Sequence, residues 1–406
     1  MKRSAGQLEF GVLVLVTLGL VAFGLVMVYS ASSGEATVNA DDPAYYLKRQ
    51  AIYAVVGLVA LILCARIPLR AIRGLGGPLL LGAFAGLLAV LVVGATVNGA
   101  RRWIPLGVIN LQPSELAKLA VVIWLAAWLA RKPAPQTLGE LLKPIGLVVL
   151  GACALILVEP DLGTAIAIVL TVAAMLVVAG TRPRVLASAG GLMAGLALMA
   201  IWLEPYRRAR LLAFLDPWAD PQNTGFQSVQ AMLALGSGGI FGKGLGAGVG
   251  KINYLPEAPT DMIFAVIGEE LGLIGATAVI AAFAAFGWAG FSVALRARDP
   301  FAKLLATGIT ALVCGQALVN LAAVLGLAPL TGIPLPFVSY GGSSLIVLLA
   351  SVGILLNIAS NHAVRTTASV PARGRRDGGT RSPVARGRGR PQPARRQRDV
   401  RRRAAG

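Results

Sequence analysis

Four carboxylates occur in "YLPEAPTDMIFAVIGEELGLIGA" (residues 254–276), a segment that is otherwise mostly apolar. One of them, Asp261, immediately precedes a long apolar run, so we predict that it lies at the boundary between water and lipid. Partial loss of hydration there raises the basicity of a carboxylate. Asp261 could therefore accept a proton from a hydroxyl nucleophile, with Glu257 one turn away if the helix begins that early. With a divalent cation, it could instead orient a pyrophosphate.

Glu269 and Glu270 follow about 12 Å deeper, at the rise of 1.5 Å per residue of a helix. Ionisable residues at membrane depth usually face a partner inside the bundle. We expect both glutamates to be structural, with Lys118 or Asn320 as their candidate partners.

The stretch "QPSELAKLA" (112–120) has the features of a helix start. Pro113 suits the first turn, and Glu115 interacts favourably with the positive end of the helix dipole. Lys118 shares a face with Glu115 and can pair with it. The pair could simply stabilise the helix start, but a lysine at membrane depth usually faces a cavity, which makes both residues site candidates. The glycines and proline of the preceding "NGARRWIPLG" favour irregular backbone, a dip or a short re-entrant piece.

Two further polar motifs separate apolar runs. In "VEPDLGT" (158–164), Asp161 either caps the next helix or lines a site. In "GIPLPFVSYGGSSLIVLLAS" (332–351), prolines precede a helix start whose free N–H groups and hydroxyls could hold an anion. Ser339, Ser343 and Ser344 are the candidates there, and the alternative is an ordinary helix cap.

Lysines and arginines are common in the segments predicted to lie on the extracytoplasmic side of the membrane. The positive-inside rule disfavours them on that side. Arginine binds phosphate in a bidentate fork, so the pattern predicts an anionic ligand, most simply a lipid-linked phosphate or pyrophosphate. Together with Asp161, Glu257 and the three serines, the predicted ligand-binding residues are Arg101, Arg102, Arg207, Arg208, Arg210, Lys243 and Lys251.

Several types of site are excluded. The single histidine, His362, excludes a Ser-His-Asp triad and a His-rich zinc site. The three cysteines all fall in apolar runs without a CxxC, so no disulfide framework is predicted. The glycine-rich stretch around Lys243 is not a Walker A motif, because Gly244 stands where Ser or Thr should bind Mg²⁺.

The elements that must position these residues are membrane helices. The 406 residues are 56% hydrophobic and only 14% charged, whereas soluble domains are about a quarter charged. The sequence therefore predicts an all-α polytopic membrane protein with ten transmembrane helices and a large extracytoplasmic loop, 204–261, between helices 7 and 8. The ten apolar runs are 9–31, 49–65, 75–97, 113–130, 144–158, 163–181, 186–203, 262–285, 301–326 and 341–360.

Charge placement predicts the orientation and a second region. Lys and Arg cluster at the N-terminus and after even-numbered spans, so both termini are predicted to be cytoplasmic. Residues 363–406 contain fourteen arginines against two aspartates, which is +12 of the net charge of +19. This tail is predicted to be disordered and could bind anionic membrane lipids or an acidic partner. Nucleic acid is not expected, because no aromatic residue interleaves the arginines.

Five motifs appear in order: "GARRWIPLG…QPSELAKLA", "EPDLGT", "GFQ…ALGSGGIFGKGLG", "LPEAPTDMIFAVIGEELG" and "PLPFVSYGGSS". They resemble the SEDS family of bacterial cell-wall polymerases over about residues 9–362. "GARRWI", "YLPEA" and "IGEELG" are more similar to its division branch than to its elongation branch. The resemblance implies a ten-helix domain over 1–362 and a peptidoglycan glycosyltransferase that polymerises lipid II and releases undecaprenyl pyrophosphate.

The resemblance also implies roles for particular residues. The family's essential loop aspartate falls on Asp261, and its helix-start pair falls on Glu115 and Lys118, which are therefore implied to be catalytic. An acceptor GlcNAc 4-hydroxyl would attack the anomeric carbon of a donor MurNAc with inversion. Implied partners are a class B penicillin-binding protein, which is a transpeptidase, and other divisome proteins. The implied location is the bacterial cytoplasmic membrane, at the septum for a division-type member. The resemblance leaves open whether a divalent cation, Mg²⁺ or Mn²⁺, binds at Asp261.

Three positions depart from the family's motifs. Pro259 stands where a histidine commonly precedes "TD", and Met262 replaces the usual Phe. Any role of that histidine is absent or moved. Thr331 stands where some division-type members carry a lysine, so no phosphate contact from a lysine is expected there.

Two other functions stay open at this point. Buried acids and proline-broken helices also mark transport pathways, so the chain could flip the lipid precursor across the membrane. In that case Glu269 and Glu270 would matter more than Asp261. A non-catalytic scaffold would instead depend on the arginine-rich tail.

Overall fold

The computed structural model describes residues 5–40, 42–97, 100–107, 109–251 and 255–368. Most of this chain is helical, and a short π-helical turn, Leu142–Gly146, joins α5 to α6. The helices are α1 (Ala5–Ala40), α2 (Tyr45–Arg66), α3 (Leu69–Val93), α4 (Pro113–Leu129), α5 (Leu138–Leu141), α6 (Leu147–Val158), α7 (Leu162–Ala179), α8 (Pro183–Leu203), α9 (Pro205–Leu215), α10 (Phe226–Ser237), α11 (Ile263–Arg296), α12 (Pro300–Val324) and α13 (Ser343–Ala368).

The polytopic helical fold is confirmed. Within the described ranges, nine stretches are long and apolar enough to cross a membrane: α1, α2, α3, α5 with α6, α7, α8, α11, α12 and α13. The tenth predicted span is α4, whose 17 residues are mostly buried. Its length is at the lower end of the roughly 17–25 residues that a span needs. Helix starts follow local signals, with Pro113, Pro183 and Pro300 in first turns and Asp299 as an N-cap.

Helix α12 lies at the centre of the bundle and packs against α4, α7 and α11. Small residues allow this close approach. A Cβ added at Gly308 would lie 2.6 Å from Val122 of α4 and 2.7 Å from Met175 of α7. Helix α13 packs on α2, and α1 packs on α11. Since helix association in lipid depends on close packing, such contacts determine which helices are neighbours.

One connection differs from the prediction of irregular backbone before α4. The residues described there form a three-stranded antiparallel sheet of β1 (Ala95–Val97), β2 (Ala100–Leu106) and β3 (Ile109–Leu111). Ala95 pairs with Trp103, and Ile104 pairs with Leu111. Gly107, with φ +75°, makes the turn after β2. Strand pairing satisfies backbone groups that a dip into the membrane would leave without partners.

The long connection between α8 and α11 contains α9 and α10. The stretch "SVQAMLAL" (228–235) forms most of α10. The glycine-rich stretch after α10 packs on α11 at Gly272, where φ +65° interrupts the helix. Residues 369–406 lie outside the described ranges, so the disordered tail stays a prediction, as does the orientation of the bundle.

Candidate active site

A cavity of about 400 Å³ opens where the sheet meets the starts of α4, α7 and α13 and the turn before α11. The predicted site residues that line it are Arg102, Glu115, Asp161, Arg210, Glu257, Asp261 and Ser343. The structure therefore brings the predicted base, the helix-start glutamate and two of the predicted cations into one space.

Asp261 lies two residues before the start of α11, in the turn that leads into this helix. Asn320 Nδ2 of α12 donates to the Asp261 carbonyl at 2.8 Å. The Tyr340 N–H donates to the Pro259 carbonyl, also at 2.8 Å. Asp261 is only 9% exposed and lines the cavity. The turn is thus fixed from two neighbouring elements.

The pKa of Asp261 is raised to about 7, first by burial and then by the negative charge of Glu257, while Arg210 opposes the rise. Thr260 lies between the two carboxylates. Its hydroxyl is 2.8 Å from Glu257 Oε2 and 3.4 Å from Asp261 Oδ1. A carboxylate with a pKa near 7 can take and release a proton at neutral pH. The raised pKa of Asp261 agrees in direction with the increase in basicity predicted from the sequence.

The predicted ion pair at the start of α4 forms, with Lys118 Nζ 2.8 Å from Glu115 Oε1. Glu115 lines the cavity, whereas Lys118 is buried and does not line it. The second oxygen of Glu115, Oε2, is buried and has no hydrogen-bond partner within the described part of the chain. It can therefore accept a hydrogen bond from a ligand or a water molecule in the cavity.

Asp161, Gln112 and Ser343 connect three elements of the cavity wall. Asp161 caps α7, because it accepts from the Thr164 N–H at 3.0 Å and from its hydroxyl at 2.8 Å. The Gln112 N–H donates to Ser343 Oγ at 3.0 Å, and Gln112 Nε2 lies 3.4 Å from Asp161 Oδ2. The capping alternative for Asp161 is confirmed, and its place on the cavity wall leaves ligand binding as a prediction.

Arg102 and Arg210 line the cavity and are oriented by backbone carbonyls. Arg102 donates to the carbonyls of Glu159 and Pro160. Arg210 Nη1 donates to the carbonyl of Leu330 at 3.3 Å. Their positive charges favour an anion in this space.

Glu159 lies beside Arg102 and is almost fully buried. Burial and then the charge of Asp161 raise its pKa to about 8, and Arg102 opposes the rise. Neither carboxyl oxygen of Glu159 has a hydrogen-bond partner among the residues described. Glu159 is therefore mostly neutral at pH 7 and leaves the charge of Arg102 available to the cavity.

Three predicted arginines lie outside the cavity. Arg101 Nη1 donates to the carbonyl of Leu91, near the end of α3, at 3.3 Å. Arg207 donates to carbonyls of α6 and α8 at 2.7 and 3.2 Å. Arg208 lies over the ring of Trp202 at 5.8 Å from its centroid. These contacts attach the sheet and α9 to neighbouring helices.

Lys243 and Lys251 also lie elsewhere, although the sequence predicted both as ligand-binding residues. Their ammonium groups pair with Glu269 at 2.7 Å and with Glu270 at 2.6 Å. The prediction that these glutamates pair with Lys118 or Asn320 is wrong. The glycine-rich stretch brings the two lysines back onto α11, a contact that their separation in the sequence conceals.

Ser339 and Ser344 are buried and do not line the cavity, unlike Ser343 between them in the motif. Ser339 Oγ accepts from the Leu335 N–H at 2.8 Å and so stabilises the turn before α13. Ser344 Oγ has no hydrogen-bond partner in the described part of the chain.

The structure adds wall residues that the sequence did not assign to the site, including Tyr53, Trp103, Asn110, Gln112, Thr164 and Thr260. Tyr53 gave no sequence signal, because it lies inside an apolar run. Thr331, the position for which the sequence predicted no lysine contact to phosphate, also lines the cavity. Its hydroxyl has no hydrogen-bond partner in the described ranges, so this position contributes a neutral group to the wall.

The residues described contain no group of three or more His, Cys, Asp or Glu that could hold a metal ion. Asp261 and Glu257 both line the cavity and are connected through the Thr260 hydroxyl. Mg²⁺ is commonly held by one or two carboxylates together with substrate phosphates. The pair therefore fits a cation that binds together with a diphosphate.

A sequence profile for the family of FtsW, RodA and SpoVE, described as cell cycle proteins, matches residues 11–364. A probable peptidoglycan glycosyltransferase FtsW of Geobacter metallireducens is 46% identical over 352 residues, which cover 86% of this chain and 94% of the relative. A protein of Thioalkalivibrio sulfidiphilus with the same description is 46% identical, with 88% and 90% covered. A solved chain from a peptidoglycan synthase complex that coordinates polymerization and crosslinking superposes with a TM-score of 0.72 at 32% identity, with 86% and 97% covered.

Proposed function

Because this chain belongs to the family of FtsW, RodA and SpoVE, we infer that it is a peptidoglycan glycosyltransferase that polymerises lipid II. One observation in the structure carries this assignment: Asp261, with a pKa of about 7, shares a cavity with Arg102 and Arg210. A base beside cations suits a reaction in which a hydroxyl attacks and a diphosphate leaves.

The reaction is a single displacement at the anomeric carbon of the donor sugar. Asp261 takes the proton of the acceptor hydroxyl as the acceptor oxygen forms its bond to that carbon. The bond from the carbon to the diphosphate oxygen breaks, and its electron pair leaves with undecaprenyl pyrophosphate. Arg102 and Arg210 stabilise the negative charge that develops on the leaving group. One displacement inverts the configuration at the carbon.

Glu115 lines the cavity, and Lys118 supports it through their ion pair from behind the wall. The buried ammonium of Lys118 pairs with Glu115 Oε1 at 2.8 Å and offsets the cost of burying a carboxylate at this depth. The unpartnered Oε2 of Glu115 accepts a hydrogen bond from a sugar hydroxyl. Asp161 and Ser343 bind further polar groups of the same substrate from the starts of α7 and α13.

A divalent cation, Mg²⁺ or Mn²⁺, would be held by Asp261 and Glu257 together with the diphosphate. When bound, it would supply positive charge to the leaving group.

The proposed setting is the outer face of the bacterial cytoplasmic membrane, at the division septum, with both termini in the cytoplasm. A class B penicillin-binding protein is the proposed partner, together with other divisome proteins, because the solved chain in the peptidoglycan synthase complex resembles this one. The arginine-rich tail would bind anionic lipids.

The test is polymerisation of labelled lipid II by the purified full-length chain, with its penicillin-binding partner, with and without a chelator. We expect glycan strands that lysozyme can digest. Loss of product with the chelator, and its return with Mg²⁺ or Mn²⁺, would support the cation. Translocation of lipid II across liposomes without any polymer would contradict the assignment and favour a flippase.

A further inference from the structure

The segment that carries Asp261 is closed by a buried ion pair. Lys251 precedes Asp261 by ten residues, and Glu270 follows it by nine, two turns into α11. Lys251 Nζ lies 2.6 Å from Glu270 Oε1, and the side chains are 5% and 0% exposed. Ser30 of α1 completes the cluster, with its hydroxyl 2.7 and 2.8 Å from the Glu270 oxygens and 3.0 Å from Lys251 Nζ.

Backbone bonds join the preceding glycine-rich stretch to α11 beside this pair. Because the helix is interrupted at Gly272, several of its backbone groups need other partners. The N–H groups of Lys243 and Gly244 donate to the carbonyls of Glu269 and Glu270, each at 3.0 Å. In the other direction, the N–H of Leu273, which follows the break in α11, donates to the carbonyl of Gly239 in the stretch at 2.9 Å. The stretch therefore replaces the missing turn of the helix.

Glycine is required on both sides of this contact. A Cβ at Gly242 would lie 2.2 Å from the Glu270 carbonyl oxygen, and a Cβ at Gly272 would lie 2.4 Å from the Gly242 nitrogen. Both residues also have positive φ, +81° and +65°. Side chains would strain both positions and separate the two segments.

Two backbone hydrogen bonds hold the described residues between Gly250 and α11. The Leu255 N–H donates to the Gly250 carbonyl at 2.7 Å, and the Met262 N–H donates to the Glu257 carbonyl at 3.3 Å. Asp261 lies between the two residues that the second bond joins. The ion pair thus joins the two ends of the segment that places the proposed base.

We propose that Lys251 and Glu270 are positioning residues, whose ion pair holds the Asp261 segment on α11 and thereby keeps the Asp261 carboxylate in the cavity. This inference rests on the proposed glycosyltransferase function. Lys251 is buried, pairs with a carboxylate and does not line the cavity, so it does not bind substrate. Its removal should lower kcat and leave KM unchanged.

A charge-neutralising double substitution separates loss of the ion pair from the cost of an unpaired buried charge, and the comparison of kcat with KM separates positioning from substrate binding. Lys251→Met leaves Glu270 as an unpaired buried charge, whereas Lys251→Met with Glu270→Gln leaves no charge behind. We expect the single variant to lose about tenfold to a hundredfold in kcat on lipid II, as displacement of a catalytic group by about 1 Å can cause. KM should stay within about twofold. The double variant also lacks the ion pair, so its kcat should stay at least about threefold below that of the wild type, whereas Lys251→Arg keeps the pair and should retain activity.

Lys48→Met is the matched control, because Lys48 pairs with Asp42 at 2.8 Å on the surface, with side chains 67% and 37% exposed. Its kcat should be unchanged. A double variant with the wild-type kcat would overturn the proposal, because the ion pair would then not be needed to position Asp261. A raised KM in either variant would also overturn it and would assign Lys251 to the substrate. If Lys251→Met does not fold, the double variant and Lys251→Arg decide by the same criteria. A wild-type chain inactive on lipid II would contradict the glycosyltransferase assignment instead.

Discussion

Replacing Glu257 with glutamine should move the pH dependence of polymerisation to lower pH. Asp261 acts as a base only when it is ionised, and its pKa is raised to about 7. The wild-type rate should therefore rise as the pH passes through about 7 and level off above it. The Glu257 charge opposes ionisation of Asp261, so its removal lowers the pKa of Asp261. The variant should therefore reach half of its own maximal rate at a lower pH than the wild type does.

The size of the effect follows from the position of Thr260. Its hydroxyl is 2.8 Å from one Glu257 oxygen and 3.4 Å from one Asp261 oxygen, so these two oxygens are at most about 6 Å apart. Two unit charges at about 6 Å interact by about 0.7 kcal/mol in water and about 3 kcal/mol at an effective dielectric constant of about 20. Glu257 is exposed and Asp261 is buried, so the expected change lies between these limits, roughly 0.5–2 pKa units. A change of about one unit raises the ionised fraction of Asp261 about fivefold at about pH 6.

The assay is the initial rate of lipid II consumption between about pH 5 and 9 at constant ionic strength. Arg210→Gln should move the profile in the opposite direction, because Arg210 lowers the pKa of Asp261. Glu204→Gln is the control, since Glu204 is an exposed carboxylate outside the cavity. A wild-type rate that does not change over this pH range would refute the reasoning, as would a Glu257→Gln profile that coincides with the wild type.

Three further outcomes are expected. Lys118→Met should lower the free energy of unfolding by about 3–5 kcal/mol, because it leaves Glu115 buried without its partner. Adding Glu115→Gln should restore most of the stability but none of the activity, as measured by thermal unfolding and by lipid II polymerisation. Gly272→Ala should lower the unfolding midpoint, since φ is +65° and strain of this kind costs about 1–3 kcal/mol; Gly82→Ala, on an open helix face, should not lower it. Asp261→Asn should raise the free energy of unfolding above about pH 7, by up to about 4 kcal/mol, because the raised pKa of Asp261 shows that its ionised form is disfavoured in the folded state only. Below about pH 4 the substitution should not change the stability, and unfolding measured at both pH values checks this.

The spans and several site residues could be predicted because they depend on local patterns. Apolar runs of membrane length, with prolines in the first turns, mark the helices. Glu115 and Lys118 are one turn apart in the chain, so their pairing follows from helical geometry. Asp261, Asp161 and Arg102 share a cavity because each follows or precedes a span at the same end of the bundle.

The errors concern contacts between distant segments. A ligand-binding cation would also be a lysine or an arginine on the predicted outer side, so residue type and side do not distinguish Lys243 and Lys251 from one. Nothing in the local sequence shows that the chain turns back and brings these lysines onto Glu269 and Glu270. The sheet was missed because β1 and β3 have three residues each, too few for alternation to be recognised. Tyr53 reaches the cavity only through the packing of α2 against α13.

The most direct test of the central claim is lipid II polymerisation by Asp261→Asn, beside the wild type and under identical conditions with the penicillin-binding partner. The substitution keeps the size of the side chain and removes its ability to accept the acceptor's proton. The account predicts that the rate falls by about 10²–10⁴-fold while the variant remains folded. A folded Asp261→Asn variant that makes glycan strands at a rate within a few-fold of the wild type would contradict it.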